Sequence, residues 1–204
     1  MNVQSWPLGP FETNCYFFEY RNHGFLVDPG DPEIADFLAG FAGRIDFILL
    51  THGHVDHVLG IDTVRKAHPQ VRIALPENDR NWYEKTDLQA SMFGLRRQPV
   101  PPPDIWLSPP CELEGIRVIS TPGHTPGSVC FYLPEENILF SGDTLFAGSV
   151  GRTDFPGGSW SQLVDSIQRL YSDLPSNTRV FPGHGPSTTL GEEKRSNPFV
   201  SGKP

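Results

Sequence analysis

Three histidines and an aspartate, His52, His54, Asp56 and His57, fall within six consecutive residues of a chain that has only seven histidines in all. Imidazole nitrogens and carboxylate oxygens are the side-chain donors that zinc and related divalent cations take, and their density here is that of a metal site. The cluster directly follows Phe47-Ile48-Leu49-Leu50-Thr51, whose four apolar residues read as a short strand buried on both faces. A buried strand that ends in such donors delivers them at the edge of a sheet.

Three later segments repeat the order of strand, tight turn and ligand-type residue. They are Ser120-Thr121-Pro122-Gly123-His124, Phe140-Ser141-Gly142-Asp143 and Val180-Phe181-Pro182-Gly183-His184. Glycine next to each polar residue lets the backbone turn sharply, so that the side chain can point into a cleft shared with the others. A single catalytic zinc needs about three protein ligands. His52, His54, Asp56, His57, His124, Asp143 and His184 together are enough for two divalent metal ions that share one carboxylate. An aspartate can bridge, because each of its oxygens can bind a cation, whereas an imidazole whose other nitrogen is a donor cannot. Between two such cations a water loses its proton near neutral pH, and hydrolysis is the economical reaction. Zinc is the first expectation for both ions; iron or manganese would suit the same donors.

The rest of the sequence must build elements that carry these turns. A length of 204 residues fits one domain, read as spanning 1–204, with a core that needs no staples. Asn14 to Glu19 and Gly24 to Val27 read as strands joined by a hairpin turn at Arg21 to Gly24, with His23 in the turn. Asp31 and Pro32 then have the cap and first-position chemistry of a helix start, with Ile34, Phe37, Leu38 and Phe41 on its inner face. Gly60 to Ala67 reads as a short helix, and Val71, Ile73 and Leu75 alternate as a half-buried strand. Glu77 to Gln98 has a weak pattern and is expected to be a partly helical surface excursion, a possible wall of the site, closed by the prolines at 99 and 101 to 103. Strands are expected again at Ile116 to Ser120, Val129 to Leu133, Ile138 to Ser141 and Thr178 to Phe181. The strongest helix runs from Ser159 to Tyr171, with Ser159 and Gln162 at capping-box spacing. Strands in two groups with helices between them suggest a mixed sandwich with helices outside.

Composition closes off other classes. A net charge of −8 argues against a nucleic-acid partner, a nuclease role included. No apolar run approaches a membrane span, and Met1 to Pro10 lacks the basic and apolar regions of an export signal, so a soluble, cytoplasmic protein with no membrane partner is expected. Cys15, Cys111 and Cys130 are odd in number and unclustered, which excludes a disulfide framework and leaves them as small buried hydrophobes. The serine routes fail for want of an S-x-x-K or G-x-S-x-G motif.

The combination of Asp28 at a strand end, T-H-x-H-x-D-H at Thr51 to His57, Gly-His-Thr-Pro-Gly at 123 to 127, Gly-Asp-Thr at 142 to 144 and Gly-His-Gly at 183 to 185 resembles the metallo-β-lactamase superfamily. The resemblance implies an α/β fold, a four-layer αβ/βα sandwich of two mixed sheets with outer helices. It also sorts the ligands: His52, His54 and His124 on one metal, Asp56, His57 and His184 on the other, Asp143 bridging, and Asp28 behind them holding the histidine loop. Leu145 to Gly158 and Gly191 to Phe199 look like the glyoxalase II branch, most like its short bacterial members, which lack the C-terminal helical domain that supplies part of the glutathione site. That likeness implies a thioester substrate such as S-lactoylglutathione. A metal-bridging hydroxide would then attack the carbonyl, and the departing thiolate would need no dedicated general acid. Asp56 would orient the nucleophile, and Arg152 is the first choice for a substrate carboxylate, with Lys194 and Arg195 behind it. The rival within the fold is a persulfide dioxygenase, which shares an Arg-Thr-Asp-Phe segment like that at 152 to 155 and holds one iron through positions matching His52, His124 and Asp143. A β-lactamase fits less well, because no cysteine stands among the ligand segments. A non-catalytic metal-stabilised module would be expected to lack a ligand, and none is missing.

Overall fold

Strand-forming residues before Asp28 build three antiparallel strands, β1 (Val3–Leu8), β2 (Thr13–Tyr20) and β3 (His23–Val27). The computed structural model describes residues 1–201, which fall into two units, Met1–Leu107 and the chain from Ser108 onward. In the first unit the β2–β3 loop is only Arg21-Asn22, with φ of 47° and 66°, the two-residue turn whose twist matches the flanking strands. The turn is therefore shorter than the sequence predicts, and His23 is a strand residue paired with Tyr20. Strand β1 was not expected; Pro7 and the lack of burial alternation are those of an edge strand, and it pairs along β2.

From β3 the sheet continues in parallel through β4 (Phe47–Leu49), β5 (Arg72–Pro76) and β6 (Ile105–Leu107). Helix α1 (Ile34–Gly40) joins β3 to β4, and α2 (Val55–Val58) and α3 (Ile61–Ala67) join β4 to β5. Phe37 of α1 lies 3.9 Å from the Trp6 ring, and Phe41, just past its end, 4.7 Å from that of Phe17, which seats the helix on the sheet. The helix starts two residues later than Pro32: Asp31 Oδ1 accepts from the Glu33 amide at 2.9 Å, and this local turn competes with helical geometry. Strand β5 is buried on both faces rather than half-buried, because it lies between β4 and β6, with Ile73, Ala74 and Leu75 all inaccessible.

The segment 77–98 is partly helical and mostly exposed, as expected of a surface excursion, but it also buries residues. A 3₁₀ turn at Glu77–Asp79, α4 (Arg80–Glu84) and α5 (Thr86–Met92) bury Asp79, Tyr83, Thr86, Gln89 and Ala90. Asp79 and Gln89 serve the histidine loop, as described below, while Thr86 donates to the Tyr83 carbonyl.

The second unit is a meander of β7 (Cys111–Leu113), β8 (Ile116–Ser120), β9 (Val129–Leu133) and β10 (Ile138–Gly142). A small hairpin, β11 (Leu145–Phe146) and β12 (Ser149–Val150), and helix α6 (Trp160–Asp173) then lead to β13 (Arg179–Pro182), parallel to β10. Strand β14 (Thr188–Thr189) pairs with β13, and α7 (Leu190–Ser196) follows. Ser159 caps α6 by accepting from the Gln162 amide, and Leu163, Ile167, Leu170 and Tyr171 pack its inner face on the sheet. The four strands expected in this half are present with bounds shifted by one residue at most. Cys15 and Cys130 are buried and Cys111 is partly exposed; all three are free thiols. Among the described residues no helix is long and apolar enough to cross a membrane.

Candidate metal centre

In the first unit, β4 ends at Leu49 and the chain turns through Thr51 into the histidine cluster. His52 and His54 lie in an irregular loop, while Asp56 and His57 belong to the single turn of α2, a helix the sequence did not predict. His52, His54 and His57 are all buried. Their candidate ligand atoms are close together: those of His54 and His57 each lie within 4.8 Å of one on His52, and Asp56 lies as near to His57.

Asp28 organises this group. It sits at the end of β3 with φ of 47°, a left-handed conformation that costs about 1 kcal/mol and that Asp tolerates better than most residues. Its Oδ1 accepts from the Thr51 amide at 2.8 Å, and its Oδ2 accepts from the Thr51 hydroxyl at 2.7 Å. The same Oδ2 lies 3.0 Å from His57 Nδ1, and Thr51 Oγ1 lies 3.0 Å from His52 Nδ1. Since the Thr51 hydroxyl proton goes to Asp28, its lone pairs are left for a proton on His52 Nδ1. One carboxylate thus places the Nδ1 protons of two imidazoles, directly and through a hydroxyl, and leaves both Nε2 atoms as lone-pair donors.

Other contacts fix the loop that carries them. Thr13 donates to Asp56 Oδ2 at 3.0 Å. Gly30 admits the Asp56 carbonyl so closely that a Cβ there would lie 1.9 Å from it. Asp79 accepts from the Gly53 amide at 2.8 Å, and the Gln89 side chain joins the Val55 amide to the Gly53 carbonyl. Trp82 stands edge-on to His54, ring centroids 4.6 Å apart. Thr13, Asp79 and Gln89 carry no motif, and nothing local in the sequence marks them.

In the second unit His124, Asp143 and His184 each follow a different strand, β8, β10 and β13. The pairing of β10 with β13 slips between Phe140 and Gly142, and Gly142 has φ of 48°, so the chain leaves the sheet as it reaches Asp143. Gly123, with φ of 142°, lies against Leu163 so closely that a Cβ would come within 2.4 Å of the α6 backbone. His124 Nδ1 contacts the Arg152 carbonyl at 2.7 Å, an acceptor that holds the proton there and leaves Nε2 as donor. Asp143 Oδ2 lies 3.5 Å from His124 Nε2 and 3.6 Å from His184 Nε2. These separations are too long for good hydrogen bonds. They match two ligands of one cation, since donors about 2.0–2.1 Å from a tetrahedral ion stand roughly 3.4 Å apart. The donor set therefore fits a divalent metal in chemistry and in spacing.

The three basic residues expected at the substrate are differently employed. Arg152 holds Asp154 through both ends of its guanidinium, at 2.7 and 2.6 Å, and stacks on Phe155 with its charge 4.1 Å from the ring centre. That bond lowers the exposed Asp154 carboxyl to about 2. Lys194 and Arg195 are exposed on α7, where Arg195 pairs with Glu192 of the same helix. The segment holding them is a capped helix, Thr189 Oγ1 accepting from the Glu192 amide at 3.2 Å.

The metallo-beta-lactamase superfamily model matches residues 8–184 of the chain. Hydroxyacylglutathione hydrolase GloC of Haemophilus influenzae is 37% identical over 214 residues, covering 100% of both chains. The crystal structure of TTHA1623 in a di-iron-bound form superposes with a TM-score of 0.90 at 42% identity, over 97% of this chain and 100% of that one. The BLEG-1 B3 metallo-beta-lactamase structure gives 0.88 at 36% identity, over 98% and 100%. With two mixed sheets and their helices in common with that fold, the chain belongs to the metallo-β-lactamase superfamily.

Proposed function

We propose that the seven donors serve two divalent cations, and that the protein hydrolyses thioesters, S-lactoylglutathione being the first to test. The observation that carries this reading is the similarity, over the full length of both chains, to a hydroxyacylglutathione hydrolase. His52, His54 and His124 would hold one cation, Asp56, His57 and His184 the other, and Asp143 would bridge. Bound there, the cations would acidify a water and polarise the substrate carbonyl.

The chain's own groups do the positioning. Asp28 and the Arg152 carbonyl keep His57 and His124 in the tautomer that presents Nε2, and Thr51 does so for His52. Thr13 fixes the Asp56 carboxylate by donating to its Oδ2, and that carboxylate would orient the attacking water. A thiol of pKa near 8.5 leaves as the thiolate without help, so the lack of an assigned proton donor is consistent with the substrate class. Arg152 would engage a substrate carboxylate by exchanging Asp154 for it, an even trade at an exposed site.

Metal quantitation on protein purified without chelators, together with assays on S-lactoylglutathione, tests the proposal. Two metals per chain and hydrolysis that disappears on chelation are expected. The iron held by a neighbour 42% identical, two ions in that case, keeps iron in play and with it one second reading, a mononuclear-iron dioxygenase acting on glutathione persulfide. One iron per chain with oxygen uptake on that persulfide would replace the hydrolase.

A further inference from the structure

Beyond β4 the loop from His52 to His54 leaves the sheet before α2 begins at Val55, and Gly53 and its neighbours are buried. Two side chains from the motif-free segment 77–98 take over. The Asp79 carboxylate, itself inaccessible to solvent, accepts from the Gly53 amide at 2.8 Å. Gln89 Oε1 accepts from the Val55 amide at 3.1 Å, and its Nε2 donates to the Gly53 carbonyl at 3.2 Å and to the Trp82 carbonyl at 2.7 Å. Gly53 is thus held at both its amide and its carbonyl, between the two histidines. A Cβ on Gly53 would lie 2.9 Å from the Asp79 carbonyl oxygen and 2.9 Å from Trp82 Cβ, so the segment is pressed directly onto the loop. The Trp82 ring, carried on the same turn, sets the edge of His54.

We propose that Asp79 and Gln89 are positioning residues for the metal centre: by clamping the backbone on either side of His54, they set the angle at which His52 and His54 reach one cation. The proposal rests on reading these histidines as ligands. The clamp is specific in form, because a charged acceptor makes a stronger bond than a neutral one and an amide side chain can accept and donate at once.

The test is zinc affinity of the full chain, measured against a chromophoric chelator, with the visible spectrum of the cobalt(II)-substituted protein as the reporter of geometry. Asp79→Ala and Gln89→Met are expected to weaken zinc binding by about 10- to 100-fold, as loss of groups that orient ligands does, and to shift the cobalt bands. Asp79→Asn keeps an acceptor and should recover most of the affinity, whereas Ser91→Ala, on the exposed side of α5, should match the parent. Gln89→Met keeps the side-chain volume and decides alone if Asp79→Ala does not fold. Parental affinity and spectrum in Gln89→Met would overturn the proposal. So would an affinity loss that only tracks a lower melting point of the metal-free protein, with the cobalt bands unmoved. His54→Ala separates the two levels: if it also leaves zinc binding unchanged, the metal-centre reading fails with the clamp, and if it abolishes binding while Asp79→Ala and Gln89→Met do not, the clamp alone fails.

Discussion

The two units hold their donors by different means. In the first, four donors come from one run of six residues, and side chains brought from elsewhere secure them: Thr13, Asp28, Thr51, Asp79 and Gln89. In the second, three donors come one from each of three strand ends, and backbone groups do most of the holding. The Arg152 carbonyl receives His124, the Ser159 amide bonds the Gly123 carbonyl at 2.8 Å, and the Gly183 amide bonds the Gly142 carbonyl at 2.9 Å. A donor that ends a strand inherits the sheet's ladder. A run of consecutive donors has no ladder and must borrow its acceptors.

This difference predicts where each half is vulnerable. Asp28→Ala should have the largest effect, because it strips acceptors from the Thr51 amide, the Thr51 hydroxyl and His57 Nδ1 in a buried place. Each such loss costs about 1–3 kcal/mol, so a destabilisation of roughly 3 kcal/mol or more is expected in a denaturant titration, with metal content falling alongside. Gly151→Ala is the counterpart in the second unit. A Cβ there would stand 1.8 Å from the Asp143 carbonyl oxygen and 3.3 Å from His124 Cβ, so the backbone must move at both donors. A loss of about 2 kcal/mol, within the range for backbone strain, is expected with reduced metal binding. If Gly151→Ala were harmless, the claim that the second half depends on its backbone would fall.

Arg152→Ala should have the smallest effect, since His124 uses the carbonyl of residue 152 and any residue supplies one. Metal content should be unchanged, and a rise in KM without loss of metal would mark the side chain as a substrate contact. The variant also releases Asp154. Because Arg152 lowers that carboxyl, its contribution to stability is present above the ordinary carboxylate range and disappears as pH falls to about 2. Stability at pH 7 should hardly change, as befits an exposed pair, and the Asp154 titration should move upward when followed by NMR.

Much of this was legible in the sequence. Strands β8 and β9 show their apolar content between Gly and Pro turns, α6 shows its cap and stripe, and the seven donors stand out by type, five of them beside a glycine. What escaped shares one cause. Thr13, Asp79 and Gln89 act on groups 43, 26 and 34 residues away, and no local pattern encodes a contact across such separations. Segment 77–98 reads as a surface excursion because its pattern is weak, and most of it is exposed, yet Asp79, Thr86 and Gln89 are buried against backbone. Arg152 illustrates the reverse: its position after the glycine-rich turn suggested a use for the side chain, and the observed contact to a donor comes from its main chain.

The Asp28 hub carries a consequence for anyone who would transplant the motif. Copying Thr51 to His57 onto another scaffold moves four donors and only one of the groups that orient them, the Thr51 hydroxyl. The smallest portable cassette reaches from Thr13 to Gln89, four strands of sheet included, so a seven-residue signature is here a property of most of one unit.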